Sequence, residues 1–117
     1  MSRSELAPPL AASAVRDAAP LFAALGDETR LGLLLRLSAG GPGSIARLGA
    51  RSRVSRQAVT KHLEVLAGAG LIRDSWQGRE RVWEIDRARF ADAADYLERI
   101  SRQWDAALAR LRTFVES

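Results

Sequence analysis

The first part of the chain carries apolar residues at the spacing of an α-helix. Over residues 16–25 they lie three or four positions apart and Gly26 offers a stop, which predicts a first helix. Asp27 is a suitable N-cap for a second helix. The apolar residues of this second helix cover more than one face, which predicts a central place in the fold: Leu31, Leu33, Leu34, Leu35 and Leu37. Residues 1–15 have no such periodicity, and we expect them to form a flexible N-terminal arm.

The next pattern predicts two short helices joined by a basic turn. A glycine-rich segment ends the second helix, and a third helix is expected over residues 44–50 with Ile45 and Leu48 facing inward. After the turn, Ser55 is a suitable N-cap for a fourth helix that ends near Gly70. Apolar residues recur along it at intervals of four and three: Val59, Leu63 and Leu66. Two helices separated by a short turn form a helix-turn-helix.

The remaining sequence contains two short β-prone runs and one long amphipathic stretch. Residues 71–76 and 81–85 flank the turn-forming pair Gln77 and Gly78, which predicts a β-hairpin. Over about residues 88–115 apolar side chains repeat along one broad face of a helix: Phe90, Ala93, Leu97, Ile100, Trp104, Ala107, Leu108, Leu111, Phe114 and Val115. A domain this small cannot cover so wide an apolar face, so we expect the helix to dimerise.

Length and composition indicate one small globular domain. The 117 residues are 47% hydrophobic, and we assign residues 16–117 to a single domain that is mainly α with a small β-hairpin. Between Met1 and Val15 no apolar run is long enough for a signal peptide, and no segment approaches the length of a membrane span. These observations predict a cytoplasmic protein.

Charge is distributed unevenly along the chain. There are 18 basic and 14 acidic residues, a net charge of +4, yet no Asp or Glu occurs from Leu31 through Leu63. All the charge of that segment is positive: Arg36, Arg47, Arg51, Arg53, Arg56 and Lys61. This pattern favours a nucleic acid as partner over the alternative, a basic face that is only solvated.

Residue types needed for catalysis or metal binding are scarce. The chain has no Cys, and His62 is its only imidazole, whereas a zinc site needs three or four N, S or O donors. It also lacks a glycine-rich phosphate-binding loop and any grouping of nucleophile and base. The sequence therefore predicts a protein that is not an enzyme and has no cofactor.

Three segments resemble the ArsR-type winged-helix repressors. In residues 21–37, LFAALGDETRLGLLLRL, six residues match the opening motif of that family: Phe22, Ala24, Leu25, Asp27, Thr29 and Arg30. Residues 55–72, SRQAVTKHLEVLAGAGLI, resemble its recognition helix and the entry into the wing, and residues 78–85, GRERVWEI, resemble its wing strand. The resemblance spans roughly residues 18–115. It implies a winged helix-turn-helix repressor that dimerises through its first and last helices and, given the missing Cys and His pairs, belongs to a branch without a metal site.

On a helical wheel, the polar residues of the fourth helix lie opposite its apolar side. Gln57 can make a paired contact to adenine, and Lys61 can donate to guanine or phosphate. Arginines beside the hairpin tip could reach phosphates or a narrow minor groove, although cross-strand ion pairs are an equally open interpretation. For His62 the resemblance implies a phosphate contact, and a packed side chain is the alternative. The candidate DNA contacts are Arg53, Ser55, Arg56, Gln57, Thr60, Lys61, His62, Arg79 and Arg81.

The dimer interface is predicted from the apolar residues of the first and last helices: Leu21, Phe22, Phe90, Leu97, Ile100, Trp104, Leu108 and Leu111. The expected partners are therefore double-stranded operator DNA and a second copy of the chain, with no membrane partner. A dimeric protein-interaction module, whose winged helix binds another protein, is the alternative function. The mixture of Gln57 and Thr60 with Lys61 favours base reading. No inducer is identified by the sequence.

Overall fold

Capping residues set the limits of the N-terminal helices in the computed structural model, which describes residues 12–50 and 53–116. Helix α1 (Ala12–Leu25) is followed by α2 (Glu28–Gly40), and the side chain of Asp27 accepts a hydrogen bond from the backbone N–H of Arg30 at 3.0 Å. The predicted N-cap of α2 is therefore confirmed. Helix α1 begins four residues earlier than the predicted start at residue 16, because the alanines there favour helix without adding to the apolar pattern. The rest of the predicted arm, residues 1–11, lies outside the described residues.

Helix α2 packs through one face only. Leu33, Leu34 and Leu37 are buried, whereas Leu31 and Leu35 are 46% and 70% exposed. The predicted central place of α2 is confirmed, because the helix packs against four other elements, but only three of the five leucines take part in the core. On a wheel, positions 31 and 35 lie on the side away from the three buried leucines, and no element within residues 12–50 and 53–116 covers that side.

The helix-turn-helix follows as predicted, with one added strand. A two-residue strand β1 (Gly43–Ser44) leads into the short helix α3 (Ile45–Leu48), and α4 (Arg56–Gly68) follows the turn. Strand β1 was not predicted, because two residues are too short to show a period. It extends the expected hairpin into a three-stranded sheet.

The hairpin forms a wing beside the helices. Strands β2 (Ile72–Gln77) and β3 (Glu80–Ile85) pair antiparallel from Ile72 with Ile85 out to Gln77 with Glu80. The strand order is β1-β3-β2, so β2 forms an edge of the sheet. Trp83 in β3 is 1% exposed and anchors the sheet in the core formed with α2 and α4.

Gly70 joins α4 to β2 in a conformation that suits only glycine. Its φ is +79°, and a Cβ there would lie 2.7 Å from Cγ of Arg89. Gly78, in the hairpin turn, has a φ of +65° but has open space around the same position. Arg89 cannot move away freely, because its guanidinium donates to Asp92 at 2.8 Å and to the carbonyl oxygen of Ala69 at 3.3 Å.

We therefore expect Gly70→Ala to lower the free energy of unfolding by about 2–3 kcal/mol, and Gly78→Ala by only about 1 kcal/mol. In both variants an alanine must adopt a left-handed backbone conformation, which is unfavourable. Only Gly70→Ala adds a clash with Arg89. Urea denaturation at one fixed protein concentration measures both values. Equal losses of unfolding free energy in the two variants would show that Arg89 moves aside without an energetic penalty.

The last helix extends well beyond the core. Helix α5 (Arg87–Glu116) has 30 residues and a length of about 45 Å. Its first turns pack on α1, where the rings of Phe22 and Tyr96 meet edge to face at 6.5 Å. Ala93 is its only buried residue among those described. No helix within residues 12–50 and 53–116 is long and apolar enough to cross a membrane.

Candidate nucleic-acid interface

Three buried side chains fix the rotation of α4. Val59, Leu63 and Leu66 are each 0% exposed. At the start of the helix, the side chain of Ser55 accepts a hydrogen bond from the backbone N–H of Ala58 at 3.2 Å, so the predicted N-cap is present. With one side of α4 held in the core, its polar side faces solvent.

The exposed side of α4 lines a shallow open depression with α3. Its lining residues are Ile45, Arg56, Gln57, Thr60, Lys61 and Glu64. Arg56, Gln57 and Lys61 are exposed, as is Arg53 just before the helix. The hydroxyl of Thr60 donates to the carbonyl oxygen of Arg56 at 2.9 Å, so it is free to accept rather than donate. Arg56, Gln57 and Lys61 are therefore the side chains best placed to donate to a groove.

Two arginines of residues 31–63, the segment without Asp or Glu, donate hydrogen bonds to the backbone of their own chain. The guanidinium of Arg36 donates to the carbonyl oxygen of Leu48, at the end of α3. Arg47 donates to the carbonyl oxygens of Gly40 and Gly41 at 3.0 and 2.7 Å, at the end of α2. Both satisfy helix carbonyls that lack an intrahelical partner. Their charge still adds to the positive field, but their fixed geometry serves the fold. Arg51 lies outside the described residues.

Arg30 links three helices at the back of α4. Its guanidinium donates to the carbonyl oxygens of Ala24 at 2.6 Å and Ala23 at 3.3 Å, and lies 3.2 Å from Nδ1 of His62. When Nδ1 is unprotonated, His62 accepts this contact, because an arginine only donates. Nδ1 of His62 also lies 3.8 Å from a carboxylate oxygen of Asp27. His62 is thus packed between helices through Nδ1, one of the two interpretations open from the sequence.

Sequence reasoning assigned Arg30 no structural role. The only signal was its position three residues after the N-cap Asp27, which brings its side chain back over the end of α1.

The carboxylate at this junction makes stability sensitive to acid. The hydrogen bond from the backbone N–H of Arg30 holds the pKa of Asp27 below its ordinary value, with further help from the charges of Arg30 and His62. Because the folded pKa is the lower one, the cap contributes fully above about pH 4 and is lost as the pH falls through the folded pKa.

We expect the urea midpoint of the wild type to fall more steeply between pH 5 and 2 than that of Asp27→Asn. Asparagine also caps helices well but has no carboxylate to protonate, so it isolates the charge. If the urea midpoints of the two proteins fell in parallel with pH, the acid sensitivity could not be assigned to the Asp27 carboxylate.

The wing arginines behave differently from each other. The guanidinium of Arg81 donates to Asp74 at 2.7 Å and lies over the ring of Trp83, 4.3 Å from its centre. Cross-strand pairing is therefore what the structure shows for Arg81. Arg79 is exposed in the hairpin turn and forms no ion pair with any other residue in the described ranges. Arg79 remains the wing residue available to a phosphate or a minor groove.

Comparison with known proteins identifies the family to which this chain belongs. A family model described as a helix-turn-helix domain matches residues 25–74. The chain is 36% identical over 94 residues to the HTH-type transcriptional regulator Rv2034 of Mycobacterium tuberculosis, covering 80% of this chain and 84% of that protein. It is also 36% identical to the ArsR-like transcriptional regulator from Rhodococcus sp. RHA1, with a TM-score of 0.83 over 92% of this chain and 97% of that one. The chain belongs to the ArsR family.

A more distant winged helix-turn-helix structure shares the fold alone. It is the homodimeric winged helix-turn-helix domain of Mb0332 from Mycobacterium bovis, at 17% identity and a TM-score of 0.64, over 80% of this chain and 86% of that one. The winged helix-turn-helix and the role of transcriptional regulator are thus established for this ArsR-family protein. The individual DNA-contacting and interface residues are inferred from its own geometry.

The predicted interface residues of this ArsR-family protein fall into three groups. Leu21 is 0% exposed within the single chain, so it belongs to the core and its placement in a dimer interface is wrong. Helical spacing alone could not separate core from interface, because both need apolar residues. Phe22 and Phe90 are partly buried against the core. The remaining five are 46–65% exposed on α5: Leu97, Ile100, Trp104, Leu108 and Leu111.

Proposed function

We propose that this ArsR-family regulator is a sequence-specific repressor that binds, as a homodimer, an operator of two inverted half-sites. The observation that carries the proposal is the one-sided burial of α4, which leaves Arg56, Gln57 and Lys61 together on an open surface. Amide and ammonium groups of this kind read base edges in a major groove. The exposed N-terminus of α4 adds backbone N–H groups that suit a phosphate.

Helix α5 supports the dimer. From Leu97 onward its large apolar side chains are exposed in the single chain, and Phe114 and Val115 extend this stripe with 78% and 74% exposure. A second copy offers the same apolar surface through a two-fold axis. Two recognition helices related in this way meet half-sites about 34–36 Å apart, one turn of the double helix.

Selection of bound duplexes from a random-sequence pool tests this proposal, because the pool contains every candidate half-site. We expect recovered duplexes to share an imperfect palindrome with half-site centres about one helical turn apart. A pool that stays random in sequence after repeated rounds, although protein binds it, would overturn base reading. Binding of no duplex at all would favour the alternative of a protein-interaction module.

We further expect DNA affinity to be insensitive to metal ions. The chain has no Cys and one His, and Nδ1 of that His62 already lies against Arg30. Over residues 12–50 and 53–116, no three His, Asp or Glu side chains are grouped as a metal would require. Titrations with chelator, or with stoichiometric zinc, cadmium or arsenite, should give unchanged dissociation constants. A reproducible tenfold change would refute the expectation.

A further inference from the structure

The wing exposes a tryptophan that neither the core nor the ion pairs use. Trp76 is 67% exposed in the edge strand β2, one residue before that strand ends at Gln77. Its indole forms no ring contact or cation–π contact with another of the residues the structure describes. The other wing tryptophan, Trp83, is 1% exposed and belongs to the core.

The strand register defines which groups share a face with Trp76. Paired residues of an antiparallel ladder point to the same face, and alternate residues along a strand do so too. Trp76 pairs with Arg81, and Asp74 pairs with Trp83, so these four side chains share one face of the wing. Gln77 and Glu80 form the next pair and point to the opposite face.

Charge differs between the two faces near the wing tip. On the Trp76 face, Arg81 and Asp74 neutralise each other at 2.7 Å. Arg79, in the adjoining turn, adds a positive charge at the wing tip. On the opposite face, Arg73 is paired with Glu84 at 3.0 Å, and Glu80 adds a negative charge. The Trp76 face is therefore neutral and the opposite face negative, so the Trp76 face suits a polyanion better.

We propose that Trp76 contacts DNA, with its indole packed against the deoxyribose wall of the minor groove beside each half-site and Arg79 directed into that groove. This inference rests on the proposed function and assigns the wing a second DNA-binding group. Sugar walls are the apolar part of a DNA surface, and apolar side chains pack in minor grooves in other proteins. A narrow groove in an A·T-rich flank has a stronger negative potential for Arg79. The wing thus gives a preference for A·T flanks that α4 does not supply.

The tryptophan itself provides the probe. Trp76 is isolated by comparing the wild type with Trp76→Phe, because the difference in acrylamide quenching between the two proteins reports on Trp76. Two duplexes are used. Both carry the same sequence recovered from the random pool, one with A·T flanks and the other with G·C flanks. On binding the A·T-flanked duplex we expect the quenching constant to fall by about half or more, because the indole leaves solvent.

Affinity measurements complete the test. Trp76→Ala should bind the A·T-flanked duplex roughly tenfold more weakly, the change expected when about 50 Å² of apolar contact is lost. Trp76→Phe, the matched control, should stay within about threefold of the wild type. With G·C flanks the loss for Trp76→Ala should be smaller. Folding should be little affected, because Trp76 is 67% exposed and is not part of the core cluster.

The result that would overturn the proposal is unchanged quenching on bound duplex together with Trp76→Ala affinity within twofold of the wild type. That outcome would leave the role of α4 intact, because the selected duplex would still be bound specifically. Loss of specific binding by the wild type itself would instead refute the proposed function, and this inference with it.

Discussion

Replacing Ile100 and Leu111 together by aspartate will convert the proposed dimer into a folded monomer. The two side chains lie on one stripe of α5, three helical turns apart, and are 50% and 58% exposed in the single chain. In a two-fold interface each substitution occurs twice, so four carboxylates would be buried without partners. One unpaired buried charge costs about 3–5 kcal/mol, so we expect the dimer dissociation constant to rise by more than about 1,000-fold.

Sedimentation velocity at micromolar concentration measures this change. The matched control is Ala109→Asp with Thr113→Asp, which adds the same two charges on the opposite, exposed side of α5. The control should remain dimeric, and circular dichroism should show that both variants keep their helices. A wild-type protein that sediments as a monomer under these conditions would reject the dimer outright.

The second large effect is expected at Gln57. Its amide is exposed near the start of α4 and lies in the depression with Arg56 and Lys61. Gln57→Ala should weaken binding of the selected duplex by about 1–3 kcal/mol, roughly fivefold to 150-fold, and leave random DNA nearly unaffected. The reason is that a paired contact to adenine exists only on the correct sequence.

Arg79→Ala is the contrasting variant. If the guanidinium is attracted to phosphates and to the negative potential of the minor groove, its loss should weaken binding of both the selected and the scrambled duplex. The slope of log affinity against log salt concentration should also fall by about one unit per half-site. Titrations of both variants at several salt concentrations separate the two kinds of contact. Equal losses on both duplexes for Gln57→Ala would show that α4 does not read bases.

The parts of this fold that could be predicted from the sequence depend on local chemistry. Asp27 and Ser55 cap their helices through hydrogen bonds to residues three positions ahead, so a short window of sequence contains both partners. The buried side of α4 follows in the same way from three apolar residues on one face. Gly70 marks the end of α4 because only a few residue types adopt its conformation.

The parts that could not be predicted depend on contacts distant in sequence. Leu21 and Leu35 look equivalent in the apolar pattern, yet one is fully buried and the other 70% exposed, because neighbouring elements cover only one of them. Arg30 and His62 are 32 positions apart, and no local pattern shows that they meet. A count of basic residues likewise cannot distinguish Arg47, bound to glycine carbonyls, from the exposed Arg56.

Reading of a specific DNA sequence by α4 is tested most directly by one titration. The wild-type protein is titrated, at physiological salt, against a duplex recovered from the random pool and against the same duplex with its bases scrambled. We predict that the recovered duplex binds about 1,000-fold more tightly or better, the range typical of specific recognition. Equal dissociation constants for the two duplexes would contradict sequence reading by this helix.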